Sequence, residues 1–163
     1  MTTLEKQKNE TLTIDRAAIF FVPAIYLVLH TLEELPGFGA WVEVNFGSHP
    51  TSMFAWQHII IWLFVFLVCY KAYQKKRHGK WVILAVTAQI QFGLNAIFHL
   101  TTYFVLGTYS PGMVVAGAIG IPATVWFVRQ VLRERRVTLR ELAWAVLWGT
   151  LIAAAAIGVL FLP

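Results

Sequence analysis

KWVILAVTAQIQFGLNAIFHLTTYFVL, residues 80–106, decides the fold. These 27 residues carry one formal charge, Lys80. About 20 apolar residues suffice to cross the ~30 Å hydrocarbon layer of a bilayer, so the stretch predicts a membrane-spanning helix. Four further apolar runs of comparable length lie at roughly 17–35, 54–74, 111–132 and 139–162. The runs are continuous, without the ten-residue alternation and turn signals of an outer-membrane barrel. The expected class is therefore all-α, an integral membrane bundle of five transmembrane helices forming a single domain over residues 1–163.

Composition agrees. With 58% hydrophobic and 13% charged residues, the 163-residue chain is more apolar than a soluble domain of its size can hide. Cys69 is alone and sits inside an apolar run, which rules out a disulfide framework or a cysteine-rich metal site. The breaks between spans are Leu35-Pro36-Gly37, the basic stretch 75–80, Ser110-Pro111-Gly112 and the stretch Arg133 to Arg140. Pro23 and Pro122 fall inside spans and predict kinks, and Gly117 and Gly120 predict close helix packing. The start, MTTLEKQKNETLTIDR, is polar and mixed in charge, unlike the region that leads a signal peptide, so the first helix is expected to be retained.

The net charge of +5 reads as orientation, since no nucleic-acid motif accompanies it. All 13 basic residues fall in three regions: before the first span, around 71–80, and around 129–140. The loops at 36–53 and 107–110 carry none. The positive-inside rule then puts the N-terminus in the cytoplasm and the C-terminus outside.

Direction fixes depth. His30, Glu33 and Glu34 close the outward-running first span, His58 lies one turn into the second beside Gln57, and Asn95 and His99 lie in the outer half of the third, with Gln91 deeper and Tyr109 just beyond. These residues share one level beneath the outer face. Residues three and four apart share a helix face, so His30 neighbours both glutamates, while Gln91, Asn95 and His99 form a stripe. A charge in mid-bilayer costs roughly 2.5–3.5 kcal/mol, which favours the bundle interior for such groups. Imidazoles with a carboxylate are the ligand set of catalytic zinc and non-haem iron. His30, His58, His99 and Glu34 are the candidate ligands of a divalent metal, zinc or iron. Glu33, Glu34, Asn95 and Tyr109 are the candidate catalytic groups, as general base, ligand orienter and hydrogen-bond donors to substrate.

Other readings stay open. Two glutamates before Leu-Pro-Gly also suit a solvated interfacial helix end. A helical histidine also suits hydrogen-bonded packing, and Asn95 and Gln91 suit interhelical bonding. His49 and His78 fall in loops and are expected to be solvated. Trp41, Trp56, Trp62, Trp81 and Tyr70 read as interfacial or lipid-facing anchors.

His30-Thr-Leu-Glu33-Glu34, then Asn95-Ala-Ile-Phe-His99, then Tyr109-Ser-Pro111-Gly112 resemble, in order, the motifs of the HXXEE domain family of small bacterial membrane proteins. The resemblance covers about residues 17–128, and Pro122 matches a proline that family carries after its third motif. It implies a multi-pass protein of the bacterial cell (inner) membrane and no established activity. His58 lies outside the three motifs. Three functions fit: an intramembrane metal-dependent enzyme, hydrolase-like or oxidative, acting on a lipid or other apolar small molecule; a transporter or ion and proton pathway; or a non-catalytic membrane subunit. Clustering of the polar residues at one level, rather than as a ladder, favours the first. The bilayer is the expected partner, nucleic acid is not, and oligomeric state is open.

Overall fold

The computed structural model of the protein describes residues 3–47, 51–75 and 79–161. His49 and His78 lie outside the described residues. Helices α1 (Thr3–Glu34), α2 (Phe38–Asn45), α3 (Thr51–Lys75) and α4 (Lys80–Leu106) are followed by α5 (Met113–Val115), a π-helical turn (Ala116–Gly120), α6 (Ile121–Arg133) and α7 (Leu139–Val159). No strand occurs among the described residues. Five helical stretches are long and apolar enough to cross a membrane: Ala17–Glu34, Trp56–Lys75, Lys80–Leu106, Met113–Arg133 and Leu139–Val159. Their positions match the five expected spans to within a few residues.

The longest apolar stretch is the hub. α4 packs against α3, α7, α6 and the π-helical turn, and α1 packs against α3. At the end where α3 and α6 finish and α4 and α7 start, Ile19, Phe20, Val68, Val82, Val86, Phe127 and Val131 are buried together. Arg136 covers this cluster, its guanidinium 5.3 Å from the Phe20 ring and 2.6 Å from Glu134. α7 opens with a capping box: Thr138 Oγ1 accepts from Glu141 N–H at 3.2 Å while Glu141 accepts from Thr138 N–H at 2.7 Å. Thr138→Ala removes the side-chain half of that box and is expected to cost about 1 kcal/mol, measurable as a lower unfolding midpoint in detergent micelles.

α1 runs continuously through Pro23. Pro122 lies two residues past the π-helical turn, whose end is closed by Ile121 N–H reaching back to Ala116 C=O. A proline ring lacks an N–H and crowds the carbonyl four residues back, and the widened turn relieves that crowding. Gly120, within that turn, lets α1 approach: a Cβ there would lie 2.8 Å from the Tyr26 ring.

One element departs from expectation. The segment expected to be loop contains α2, whose Phe38, Trp41 and Val42 recur at helical spacing and are buried against Phe98 and Leu160. Trp41, expected as an interfacial anchor, is therefore a packing residue, because the short helix folds back onto the bundle end. Trp62 is also partly tied inward, donating to Thr31 Oγ1 at 3.2 Å. Trp56 and Tyr70 are exposed, at 68% and 51%.

Candidate metal centre

His30 and Glu34 lie one turn apart on α1, on the face that packs inward. Both are buried, at 3% and 4% exposure, and His99 on α4 is fully enclosed. The Glu34 carboxylate is the meeting point: His30 Nε2 lies 3.3 Å and His99 Nε2 3.1 Å from Oε1, and His58 Nε2 lies 3.5 Å from Oε2. One ligand atom each from His30, Glu34 and His99 falls within a 4.8 Å set. Donor atoms ~2.0–2.2 Å from a tetrahedral zinc stand ~3.3–3.6 Å apart, so the observed separations suit a cation between them.

Hydrogen bonding sharpens this fit. His99 Nδ1 is 2.8 Å from Ser110 Oγ, and with Nδ1–H donating there the Nε2 lone pair faces the site. His99 Nε2 is buried without a hydrogen-bond partner despite standing 3.1 Å from the carboxylate. An imidazole lone pair and a carboxylate lone pair converging in a buried space repel unless a proton or a metal cation lies between them. A metal ligand held through its other ring nitrogen is a common arrangement, and Ser110 supplies it here. Asn95 Nδ2 sits 3.0 Å from His30 Nε2, and Tyr26 stacks on the His30 ring at 5.3 Å.

Glu33, one residue earlier, faces another way. Its Oε1 accepts from Tyr109 O–H at 2.5 Å and Val114 N–H at 2.9 Å, and its Oε2 accepts from Val115 N–H at 2.7 Å. It thus fastens the end of α1 to the start of α5. The Glu33 carboxylate, accepting its hydrogen bond, pushes the Tyr109 phenol up to about 12. Glu33→Gln leaves a single acceptor oxygen for three donors and is expected to cost about 1–2 kcal/mol, read from thermal unfolding in micelles. Tyr109→Phe, which deletes one half-exposed donor, is expected to shift the midpoint less.

Gly112 completes the enclosure. Its φ of +98° is a left-handed conformation that few residues other than glycine adopt. A Cβ there would lie 2.7 Å from His30 Cε1 and 3.0 Å from both Glu34 Cγ and His99 Cε1. The segment Tyr109–Gly112 is thus a lid whose serine holds one histidine and whose glycine rests on three of the converging side chains.

Beside the cluster lies a cavity of about 290 Å³. His30, Glu34, His58, Asn95, Gln57 and Gln91 line one part of it; Phe38 and Val42 of α2, Phe98 of α4 and the last turns of α7 line the rest. The structure therefore brings together His30, Glu34, His58, Asn95 and His99 and holds Glu33 and Tyr109 to one side. Sequence reasoning missed Ser110, Gly112 and the end of α7. The first two stand inside the Tyr-x-Pro-Gly motif and were legible there; the third carries no polar signal.

Fold and site define an all-helical protein with five helices of membrane-crossing length and a buried His/Glu cluster at one end of the bundle. The chain belongs to the family described as protein of unknown function with HXXEE motif, whose model matches residues 20–127. The matched region contains all three motifs that build the cluster. No curated protein and no solved structure matches the chain.

Proposed function

We propose that the protein spans a cell membrane five times, that His30, Glu34 and His99 hold a divalent cation with His58 beside it but not bound to it, and that the centre hydrolyses an apolar substrate. The observation that carries the proposal is the convergence of three imidazoles from three helices on one buried carboxylate, next to a largely apolar cavity. Support for the bilayer comes from the exposed apolar belt, with Leu63, Phe64, Trp148 and Ile152 all about half or more exposed. The basic residues Lys71, Lys75, Lys80, Arg129, Arg133 and Arg140 gather at the opposite end of the bundle, which favours a cytoplasmic N-terminus and a site opening toward the extracytoplasmic leaflet.

A cation bound there would supply Lewis-acid polarisation of a water or a substrate oxygen. Glu34 orients the imidazoles, Asn95 offers an amide to the substrate oxygen, and His58, the least enclosed of the three histidines, is placed to carry the proton that water loses to the departing alcohol. Hydrolysis needs only water as co-reactant. Zinc and iron both accept this donor set.

Fatty-acid release from single-chain esters by the protein in nanodiscs tests the proposal. Release lost on chelation and in Glu34→Gln is expected. Metal-loaded protein that releases nothing, but carries ions across liposomes in a Glu34-dependent way, would replace hydrolysis with transport.

A further inference from the structure

The cavity has a direction. Gln57, His58, Gln91 and Asn95 line it together with Glu34, whereas Phe98, Ile157 and Leu160 give it an apolar wall. Its floor is the α4 face carrying Gln91, Asn95 and Phe98, spaced four and three residues apart. Its flanks are α3, through His58 and Ile61, and α7, through Ala156 and Ile157. Both flanking helices pack against α4 and, among the described residues, not closely against each other. The space between them is a lateral groove rather than a closed chamber.

Size and charge narrow the occupant. A cavity of about 290 Å³ has room for one chain and a compact polar group. No Lys or Arg is among the lining residues, so apart from the proposed cation an anionic head would meet no fixed positive charge, whereas three amides face the space. The amides of Gln57, Gln91 and Asn95 both donate and accept, and suit an uncharged oxygen-bearing head.

We infer that the groove between α3 and α7 admits, from the lipid phase, a neutral single-chain amphiphile, with its head at Asn95 and His58 and its tail along Phe98, Ile157 and Leu160. This deepens the hydrolytic proposal by naming its substrate class and rests on that proposal only for what happens to the head. The end of α7 is then a specificity element, since it forms the tail wall.

The test is photolabelling of the full chain in nanodiscs with a diazirine analogue of octanol, with adducts mapped by mass spectrometry before and after metal chelation. Adducts are expected to concentrate on Phe98, Ile157 and Leu160, to fall in the presence of excess octanol, and to drop about tenfold in Ala156→Phe, the weight of one to two buried methylenes. Ala156 is exposed on α7, and the milder Ala156→Leu should give an intermediate loss, while adducts on the outward-facing Leu63 and Phe64 stay constant. Groove adducts no more abundant than those on Leu63 and Phe64, or unchanged in both variants, would overturn the inference. Failure of the metal proposal looks different: no bound metal, with groove labelling intact.

Discussion

His99→Gln and His30→Gln proteins are each expected to lose more than about a hundredfold in affinity for zinc. Removal of a group that merely supports a ligand already costs 10–100-fold, and these two residues supply donor atoms. Their burial makes the effect large. His99 Nε2 has no hydrogen-bond partner among the described residues, and of the three converging histidines His58 is the most exposed, at 16%. Glutamine keeps side-chain volume and a polar contact for Ser110, so the fold should survive where alanine would open a void. Ser110→Ala gives the graded control: it deletes only the contact to His99 Nδ1 and should weaken affinity by about 10–100-fold. The measurement is competitive titration against a zinc chelator in micelles, with circular dichroism to confirm that helix content is retained. Equal affinity in wild type and both glutamine variants would remove these histidines from any metal site.

Gly112→Ala is expected to be the most damaging change of a single methyl group. The backbone is held at a φ of +98°, and forcing a residue with a Cβ there costs about 1–3 kcal/mol. The added atom would also press into His30, Glu34 and His99 at 2.7–3.0 Å, so relief requires moving either the lid or the cluster. Both outcomes separate the donors, and metal binding should fall together with stability. Gly107→Ala is the informative comparison. It also replaces a left-handed glycine, at φ +67°, but a Cβ there meets nothing within 4 Å. It should carry the backbone cost alone and leave metal affinity near wild type. If the two variants behave alike, contact of Gly112 with the cluster has no functional weight.

Much of the architecture was legible because length and hydropathy suffice for spans in a chain this apolar, and ordered motifs pointed at His30, Glu34, Asn95 and His99. Which glutamate faces inward was not legible, for a physical reason. The inward face of α1 carries Phe20, Ala24, Leu27, Thr31 and Glu34, but its outward face carries Ile25, Leu29 and Leu32, which are apolar as well. A helix greasy on all sides gives periodicity no sign, and only packing reveals that Glu34 continues the buried stripe while Glu33 turns toward α5. α2 was hidden for a related reason: eight residues between turn signals are too short to register as a span, although Phe38, Trp41 and Val42 carry helical spacing. His58 was placed by depth alone, and the structure puts it 3.5 Å from Glu34 because consecutive spans alternate in direction, so that α3 starts at the level where α1 ends. The same alternation brings the end of α7 to the cavity.

X-ray absorption on protein loaded with one equivalent of zinc tests the central claim most directly. One tightly held ion per chain is expected, with imidazole nitrogens and a carboxylate oxygen at ~2.0–2.2 Å, and with the histidine scattering reduced in His99→Gln. Zinc that washes out of the wild type, or that keeps the same ligand sphere when His30 and His99 are both replaced, would contradict a metal centre built on Glu34.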